Sequence, residues 1–216
     1  LTYHIIYLCI SLFGIALCAS SAAAINQVID RKTDASMTRT DQRPLPKGEL
    51  SVMHASIFAM TIGVIGALIL FFYVNTLTML LTIGSLIGYA FIYTVYLKRA
   101  TPQNIVIGGL AGAAPPLLGW SSVTNTIDPY ALLLVLIIFV WTPPHFWALA
   151  LYQSDDYKKA GIPMMPIVVG DKKTVTMIIL YSFTLLPVTM MMSYYYSIFF
   201  AISSAILGIS FIYLAL

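Results

Sequence analysis

Charged side chains are scarce in this sequence. Of its 216 residues, 9% are charged, with 11 basic and 8 acidic side chains, whereas 60% are hydrophobic. Soluble domains carry about a quarter charged residues, and a chain this poor in charge cannot cover a water-exposed surface. The composition therefore excludes a soluble cytosolic enzyme, a nucleic-acid-binding protein and a disordered chain. It predicts a protein that resides in a lipid bilayer.

Cysteine is also rare. Cys9 and Cys18 are the two cysteines of the sequence, and both fall within the first apolar stretch. Their number and spacing fit neither a disulfide framework nor a metal site. We interpret them as small residues that pack between helices.

Seven apolar stretches are long enough to cross a bilayer as helices, for which about 20 residues are needed. They comprise residues 3–25, 52–73, 76–97, 103–120, 130–152, 174–193 and 197–216. Long runs such as Ile57 to Val74 lack the alternating polarity of barrel strands, and helices satisfy their backbone hydrogen bonds within each segment. The sequence therefore predicts an all-α integral membrane protein with about seven transmembrane helices.

The basic residues divide the connections between these stretches into two kinds. All 11 lie in the first, third and fifth connections, and the remaining connections contain none. Basic connections face the cytoplasm, or the matrix in mitochondria. We therefore expect a protein of the bacterial or mitochondrial inner membrane with its charged loops on that side. This parity places Leu1 on the outer side and predicts at least one further span upstream.

An acidic motif follows the first span. Asn26, Asp30 and Asp34 are spaced four apart, so they share one face if the first helix continues beyond the membrane surface. Side-chain oxygens of this kind bind Mg²⁺ together with water and phosphate oxygens. The alternative is a solvated helix end in which the two aspartates pair with Arg31 or Lys32.

Basic residues follow the acidic motif directly. Arg39, Arg43 and Lys47 lie in the same connection, and arginine binds phosphate oxygens through two parallel hydrogen bonds. Lys98 and Arg99, in the next charged connection, are further candidate anion ligands. Acids that hold magnesium beside bases that hold anionic oxygens favour a diphosphate site. The alternatives are a basic anchor for anionic lipid headgroups and charges that only set the topology.

A second acidic cluster lies where the fifth span ends. His145, Leu149, Tyr152 and Asp156 are spaced four, three and four apart, which predicts one shared helical face, and Asp155 precedes Asp156. These acids could bracket a diphosphate together with the first motif, or they could form a solvated helix terminus. A histidine inside a span is either a ligand, for haem iron for example, or a hydrogen-bonding partner of a neighbouring helix.

Several motifs together resemble the UbiA-type intramembrane prenyltransferases. They are Asn26-x-x-x-Asp30-x-x-x-Asp34, Met37-x-Arg39-Thr-x-x-Arg43-Pro-Leu-Pro, Leu97-Lys98-Arg99-x-Thr101-Pro-x-Asn104, Gly108-Gly to Pro115-Pro-Leu-x-Gly119-Trp120, Trp141-x-x-Pro144-His145-Phe-Trp-Ala-Leu-Ala and Asp156-Tyr-x-x-Ala160-Gly-x-Pro163-Met-x-Pro166. The aspartate motif marks the whole family, whereas the last two stretches point to members that prenylate haem. The sequence departs from the family at its second acidic motif, where Asp155 and Asp156 are adjacent instead of four residues apart.

The resemblance implies a UbiA-like bundle of nine helices, of which seven are present. Residues 1–216 would then be a single transmembrane domain that lacks the first and the last helix. The implied reaction is the Mg²⁺-dependent transfer of a farnesyl group from farnesyl diphosphate to a vinyl group of haem b, which yields haem O. The implied partners are these two substrates, the bilayer and a downstream haem A synthase, with no nucleic acid.

The resemblance also implies roles for individual residues. Metal binding is expected at Asn26, Asp30, Asp34, Asp155 and Asp156, and catalysis at Asp30, Asp34, Tyr152 and Asp156. Substrate binding is expected at Asn26, Arg39, Arg43, Lys98 and Arg99 for the diphosphate and at His145 for the haem.

A family member with an aromatic acceptor is the nearest alternative. A secondary transporter is a distant one, because no acid lies at the centre of a span.

Overall fold

A computed structural model describes residues 2–215, with side chains described for residues 5–213, and all of their regular structure is helical. The first helix, α1, runs from Thr2 to Asp34. Its 33 residues extend about 50 Å, whereas the hydrocarbon core of a bilayer is about 30 Å thick. The helix therefore continues past the apolar layer and carries the acidic motif at its end, as predicted.

The remaining elements complete an all-helical bundle. They are α2 (Pro44–Lys47), α3 (Val52–Tyr73), α4 (Thr76–Ile87) with a π-helix (Gly88–Leu97) and α5 (Lys98–Ala100), α6 (Asn104–Gly112), α7 (Pro115–Thr124), α8 (Pro129–Tyr152), α9 (Ser154–Lys159), α10 (Met165–Val169), α11 (Asp171–Met191), a 3-10 turn (Met192–Tyr194) and α12 (Ile198–Ala215). Within the described residues, six helical segments are long and apolar enough to cross a membrane, and α12 adds a shorter apolar helix. The predicted all-α membrane architecture is confirmed.

The three basic connections meet at one end of the bundle, here called the charged end. Lys98 contacts Asp30 across the first and second of these connections, and Thr38 contacts Asp156 across the first and third. At the opposite end, the Tyr7 hydroxyl donates to the carbonyl oxygen of Ser122. The alternation of charged and uncharged connections along the sequence thus corresponds to the two ends of the fold.

The third span contains an unusual ten-residue π-helix, Gly88–Leu97. In it the Thr94 hydroxyl donates to the carbonyl oxygen of Tyr89, five residues earlier, at 2.9 Å. Wider helical turns of this kind are frequent at functional sites. Here the π-helix brings Tyr89 and Tyr93 to the same cavity as Lys98, which follows it.

The pair α1 and α3 packs closely through small residues. Gly66 lies so near α1 that a β-carbon would come within 2.8 Å of the carbonyl oxygen of Gly14 and of the Cys18 sulfur. Close backbone approach at small residues is a common basis of helix association in membranes. Cys18 is buried here, which agrees with its predicted packing role, whereas Cys9 is exposed, and both thiols are free.

Glycine at position 66 is therefore expected to be required for this packing. In Gly66→Ala the added methyl group overlaps a backbone atom that cannot rotate away, which we expect to cost about 1–3 kcal/mol. Gly84→Ala is the matched control, because a β-carbon there meets no atom within 4 Å. Thermal unfolding in detergent should show a lower midpoint for Gly66→Ala and an unchanged or higher one for Gly84→Ala. Equal midpoints for the two variants would contradict the described packing.

Candidate functional site

A polar cavity of about 200 Å³ lies at the charged end of the bundle. The end of α1, the loop after it and the π-helix contribute most of the lining, and α5, α6, α8, α9 and the loop after α9 complete it. The lining residues are Asn26, Asp30, Asp34, Met37, Arg39, Arg43, Tyr89, Tyr93, Lys98, Ile105, Phe146, Tyr157 and Met164. The first acidic motif and three of the four basic residues predicted to bind the diphosphate thus share one cavity.

Asp30 occupies the most buried position in this cavity, with 1% of its surface exposed. Its Oδ2 atom accepts hydrogen bonds from Lys98 Nζ at 2.5 Å and from Asn26 Nδ2 at 3.1 Å. Asn26 Nδ2 also donates a hydrogen bond to Thr94 Oγ1 at 3.0 Å, so the π-helix fixes Asn26, and Asn26 in turn orients the carboxylate. The other oxygen, Oδ1, is buried without a hydrogen-bond partner among the described residues, and Arg99 Nη2 lies 3.6 Å away.

Asp34 is paired by a second cation. Arg43 Nη1 donates to its Oδ2 at 2.8 Å, and the carboxylate is almost fully buried. The Thr40 hydroxyl donates to the Asp34 carbonyl oxygen at 2.9 Å, which folds the loop back over the end of α1. Arg31, by contrast, donates to the carbonyl oxygen of Val28. The alternative of a solvated helix end, with the aspartates paired to Arg31 or Lys32, is therefore wrong.

The second acidic cluster lies beside this cavity. Asp156 Oδ1 accepts a hydrogen bond from Thr38 Oγ1 at 3.1 Å, and Thr38 lies between the lining residues Met37 and Arg39. Asp155 is exposed on the neighbouring surface. The structure thus brings Asp156 to the edge of the cavity and leaves Asp155 outside it.

Tyr152 and Asp156 do not share a helical face, and this corrects the sequence prediction. Helix α8 ends at Tyr152, the backbone bends at Gln153, and α9 begins at Ser154. Tyr152 is 88% exposed and is not among the residues that line the polar cavity. The prediction assumed one continuous helix, whereas the interruption at Gln153 places Tyr152 and Asp156 on different helices.

A different tyrosine, Tyr157, does line the cavity, and the sequence prediction missed it. It is buried beside Arg39 and directly follows Asp156. Burial raises the pKa of Tyr157 above that of a free phenol, and the charge of Arg39 offsets part of that rise. The phenol therefore stays protonated at neutral pH and can donate a hydrogen bond to an anion. Its position inside the Asp156-Tyr-x-x-Ala160-Gly stretch was the available signal.

His145 lies on α8 outside the polar cavity. Its ring stacks on Trp141 with centroids 4.2 Å apart and an interplanar angle of 18°, and its imidazole is exposed. Trp141 and Phe146, on either side of it, line an adjoining apolar cavity of about 320 Å³. The histidine therefore stands next to the apolar cavity, away from the acids.

The two cavities adjoin through shared residues. Tyr89, Tyr93, Ile105 and Phe146 line both of them. The polar cavity contains the acids and bases, whereas the second cavity extends along glycine-rich α6 and is mostly apolar. The arrangement suits an amphipathic molecule whose charged end lies at the charged end of the bundle and whose apolar part lies between the helices.

The residues present fit a magnesium ion that is shared with a ligand. Within the part of the chain that the structure describes, no three acidic, histidine or cysteine side chains converge on one point. Magnesium does not require such a cage, because it is commonly bound by one or two carboxylates, water and phosphate oxygens. The buried Oδ1 of Asp30, which lacks a hydrogen-bond partner, is an acceptor suited to such an ion.

The chain belongs to the UbiA prenyltransferase family, whose model matches residues 3–216. Two solved structures share its fold with TM-scores of 0.75 and 0.71, at 15% and 16% sequence identity. Each match covers 97% of this chain, and the matches cover 74% and 72% of the chains in the solved structures. Both structures are of a UbiA homolog from Archaeoglobus fulgidus, one bound to DMAPP and Mg²⁺ and the other to GPP and Mg²⁺. The predicted UbiA-like fold is confirmed.

Within this family, the chain is similar to curated proteins that share one name. The Hahella chejuensis protein named protoheme IX farnesyltransferase is 61% identical over 178 residues, which are 82% of this chain and 60% of that relative. The Saccharophagus degradans protein of the same name is 54% identical over 204 residues, 94% of this chain and 67% of the relative. The protoheme IX farnesyltransferase 2 of Pseudoalteromonas atlantica is 63% identical over 171 residues, which are 79% of this chain and 56% of that relative. The matched part of the chain thus spans 56% to 67% of the length of these three relatives.

The positions of the two tyrosines predict opposite results for the same substitution. Tyr157→Phe removes a buried hydroxyl from the polar cavity and should weaken binding of magnesium pyrophosphate by about five- to tenfold, the value of one hydrogen bond. Tyr152→Phe changes an exposed side chain and should alter the affinity less than twofold. Isothermal titration calorimetry of the detergent-solubilised protein measures both. A larger effect at Tyr152 would reinstate that residue as a ligand of the site.

Proposed function

We propose that the protein transfers a farnesyl group from farnesyl diphosphate to a vinyl group of haem b, with Mg²⁺, and so forms haem O. The observation that carries the proposal is the polar cavity with its two buried carboxylates and three cations, adjoined by an apolar cavity. Similarity to relatives named protoheme IX farnesyltransferase supports the choice of both substrates.

The cations of the cavity would bind the diphosphate. Arg39, Arg43 and Lys98 line it, and Arg99 lies at its rim with about half of its side chain exposed. Arginine and lysine donate charge-assisted hydrogen bonds to phosphate oxygens. Tyr157 would add a neutral donor. These groups stabilise the negative charge that accumulates on the diphosphate as its bond to the farnesyl carbon breaks.

The carboxylates would bind the metal. Asp30 and Asp34, with Asn26 beside them, are the proposed ligands on α1, and Asp156 at the edge of the cavity is the proposed ligand from the second cluster. When bound there, magnesium would neutralise charge on the departing diphosphate. Asp155 is exposed and would at most bind through water.

The apolar cavity would hold the farnesyl chain and exclude water from the reacting carbon. Breaking the carbon–oxygen bond leaves the electron pair on the diphosphate and an allylic cation on the farnesyl group. The faces of Tyr89 and Tyr93, at the junction of the two cavities, would stabilise that cation. A vinyl carbon of haem then bonds to the farnesyl carbon, and water adds to the adjacent carbon with loss of a proton.

The protein is an integral membrane protein, and we propose that its charged end faces the bacterial cytoplasm or the mitochondrial matrix. The distribution of basic residues supports this orientation. A haem A synthase would act on the product. Membership of the UbiA prenyltransferase family argues against the transporter alternative.

The proposed enzyme differs from a family member that prenylates an aromatic ring in its prenyl acceptor, which is haem. Membranes that contain the protein are incubated with farnesyl diphosphate, Mg²⁺ and either haem b or 4-hydroxybenzoate, and the products are separated by chromatography. We expect a prenylated haem and no prenylated benzoate. Prenylated benzoate without prenylated haem would replace the proposed acceptor and leave the diphosphate chemistry unchanged.

Substitution of the buried acids tests the metal site. Asp30→Asn and Asp34→Asn preserve side-chain shape but remove the negative charge, and each should lower farnesyl transfer at least about 100-fold. Asp171→Asn, at the exposed start of α11, is the matched control and should retain full activity. Chromatographic quantification of the prenylated product measures the rates. Persisting magnesium-dependent transfer in either acid variant would refute the assignment.

His145 is proposed to contact the haem, because its exposed imidazole lies between two lining residues of the apolar cavity. We expect His145→Ala to weaken haem binding by about tenfold, as the loss of one strong contact would. Farnesyl diphosphate binding should change less than twofold. His54→Ala, which removes an exposed histidine paired with Ser51, is the control. Haem titration followed by absorbance measures the effect, and an unchanged haem spectrum and affinity would reject the contact.

A further inference from the structure

The two buried carboxylates of the polar cavity already have cationic partners. Lys98 Nζ lies 2.5 Å from Asp30 Oδ2, and Arg43 Nη1 lies 2.8 Å from Asp34 Oδ2. The same two cations are proposed diphosphate ligands, and the same two acids are proposed metal ligands. Both sets of groups therefore neutralise each other when neither ligand is present.

This pairing opposes binding of a free metal ion. The charged side chains that line the cavity comprise two carboxylates and three cations, so the lining carries one excess positive charge. A divalent cation that enters alone must bind Asp30 while Lys98 and Arg99 remain beside that carboxylate. Repulsion between such charges is strong in a site shielded from water. The ion pairs thus act against the metal.

A diphosphate removes this opposition. Its oxygens offer Lys98 and Arg43 alternative partners, and arginine can bind them through two parallel hydrogen bonds. Once the cations turn to the diphosphate, both carboxylates are free for the metal, and the metal also binds phosphate oxygens. Each ligand therefore increases the affinity for the other, and such coupling is reciprocal.

We infer that Lys98 and Arg43 are exchangeable counter-ions of Asp30 and Asp34, so that the site takes up a divalent cation together with a diphosphate and binds the free cation poorly. This inference rests on the proposed function, because it requires a diphosphate substrate. A further observation agrees with it. Asp30 Oδ1 is buried and makes no hydrogen bond to the described side chains, with Arg99 Nη2 3.6 Å away, and Asn26, which is bonded to Thr94, holds the carboxylate in place. This oxygen is therefore an acceptor that Lys98 does not occupy.

The experiment measures free Mn²⁺ binding without any phosphate, by electron paramagnetic resonance of the detergent-solubilised protein. Lys98→Met should bind free Mn²⁺ about five- to fiftyfold more tightly than the wild type, because the cation that is hydrogen-bonded to Asp30 is removed and only the more distant Arg99 remains near that carboxylate. The same variant should bind magnesium pyrophosphate about tenfold more weakly, because a diphosphate ligand is lost. Lys98→Arg retains the positive charge and should resemble the wild type in both measurements.

Lys173→Met is the matched control, because it removes one exposed lysine at the start of α11 and should leave both affinities unchanged. Arg43→Met tests the second pair independently and should also tighten free Mn²⁺ binding. If neither Lys98→Met nor Arg43→Met tightens it by more than twofold, the inference is wrong.

Failure of the proposed function would look different. Wild-type protein would then show the expected metal and pyrophosphate results but would form no prenylated haem. Conversely, haem prenylation by the wild type with unchanged Mn²⁺ affinity in both variants would retain the proposed function and reject counter-ion exchange.

Discussion

The burial of Asp30 and Asp34 at the charged end of the bundle determines how the rest of the site is assembled. A carboxylate removed from water is strongly destabilising unless cations and hydrogen bonds compensate it. Here the compensation comes from two other segments: Arg43 from the loop after α1, and Lys98 from α5, directly after the π-helix. Satisfying these two charges therefore ties together three segments of the chain and creates the polar cavity between them.

Much of the fold could be predicted from sequence, because the properties that determine membrane helices are local. The length of each apolar run predicts whether it crosses the membrane, and the distribution of basic residues predicts the orientation of each span. The acidic motif was predictable for a similar reason, since a spacing of four places Asn26, Asp30 and Asp34 on one face of any continuing helix. These inferences need no knowledge of which helices pack together.

The remaining features depend on tertiary contacts that no local pattern contains. The interruption at Gln153, which separates Tyr152 from Asp156, is not marked in the sequence by a proline or glycine. The π-helix is stabilised partly by the bond from Thr94 to Tyr89 and by the contact of Thr94 with Asn26, 68 residues away in sequence. Tyr157, and not Tyr152, lies in the polar cavity, where it is buried beside Arg39, and only the folded chain reveals this placement.

We propose that Asp30 and Asp34 hold a divalent cation in the polar cavity beside a diphosphate. A structure determined with Mn²⁺ and pyrophosphate, using the anomalous scattering of manganese, locates the metal. We expect an anomalous peak within bonding distance of a carboxylate oxygen of both residues, with pyrophosphate oxygens next to Lys98 and Arg43. A peak elsewhere, or pyrophosphate bound with both ion pairs of the cavity intact, would contradict it.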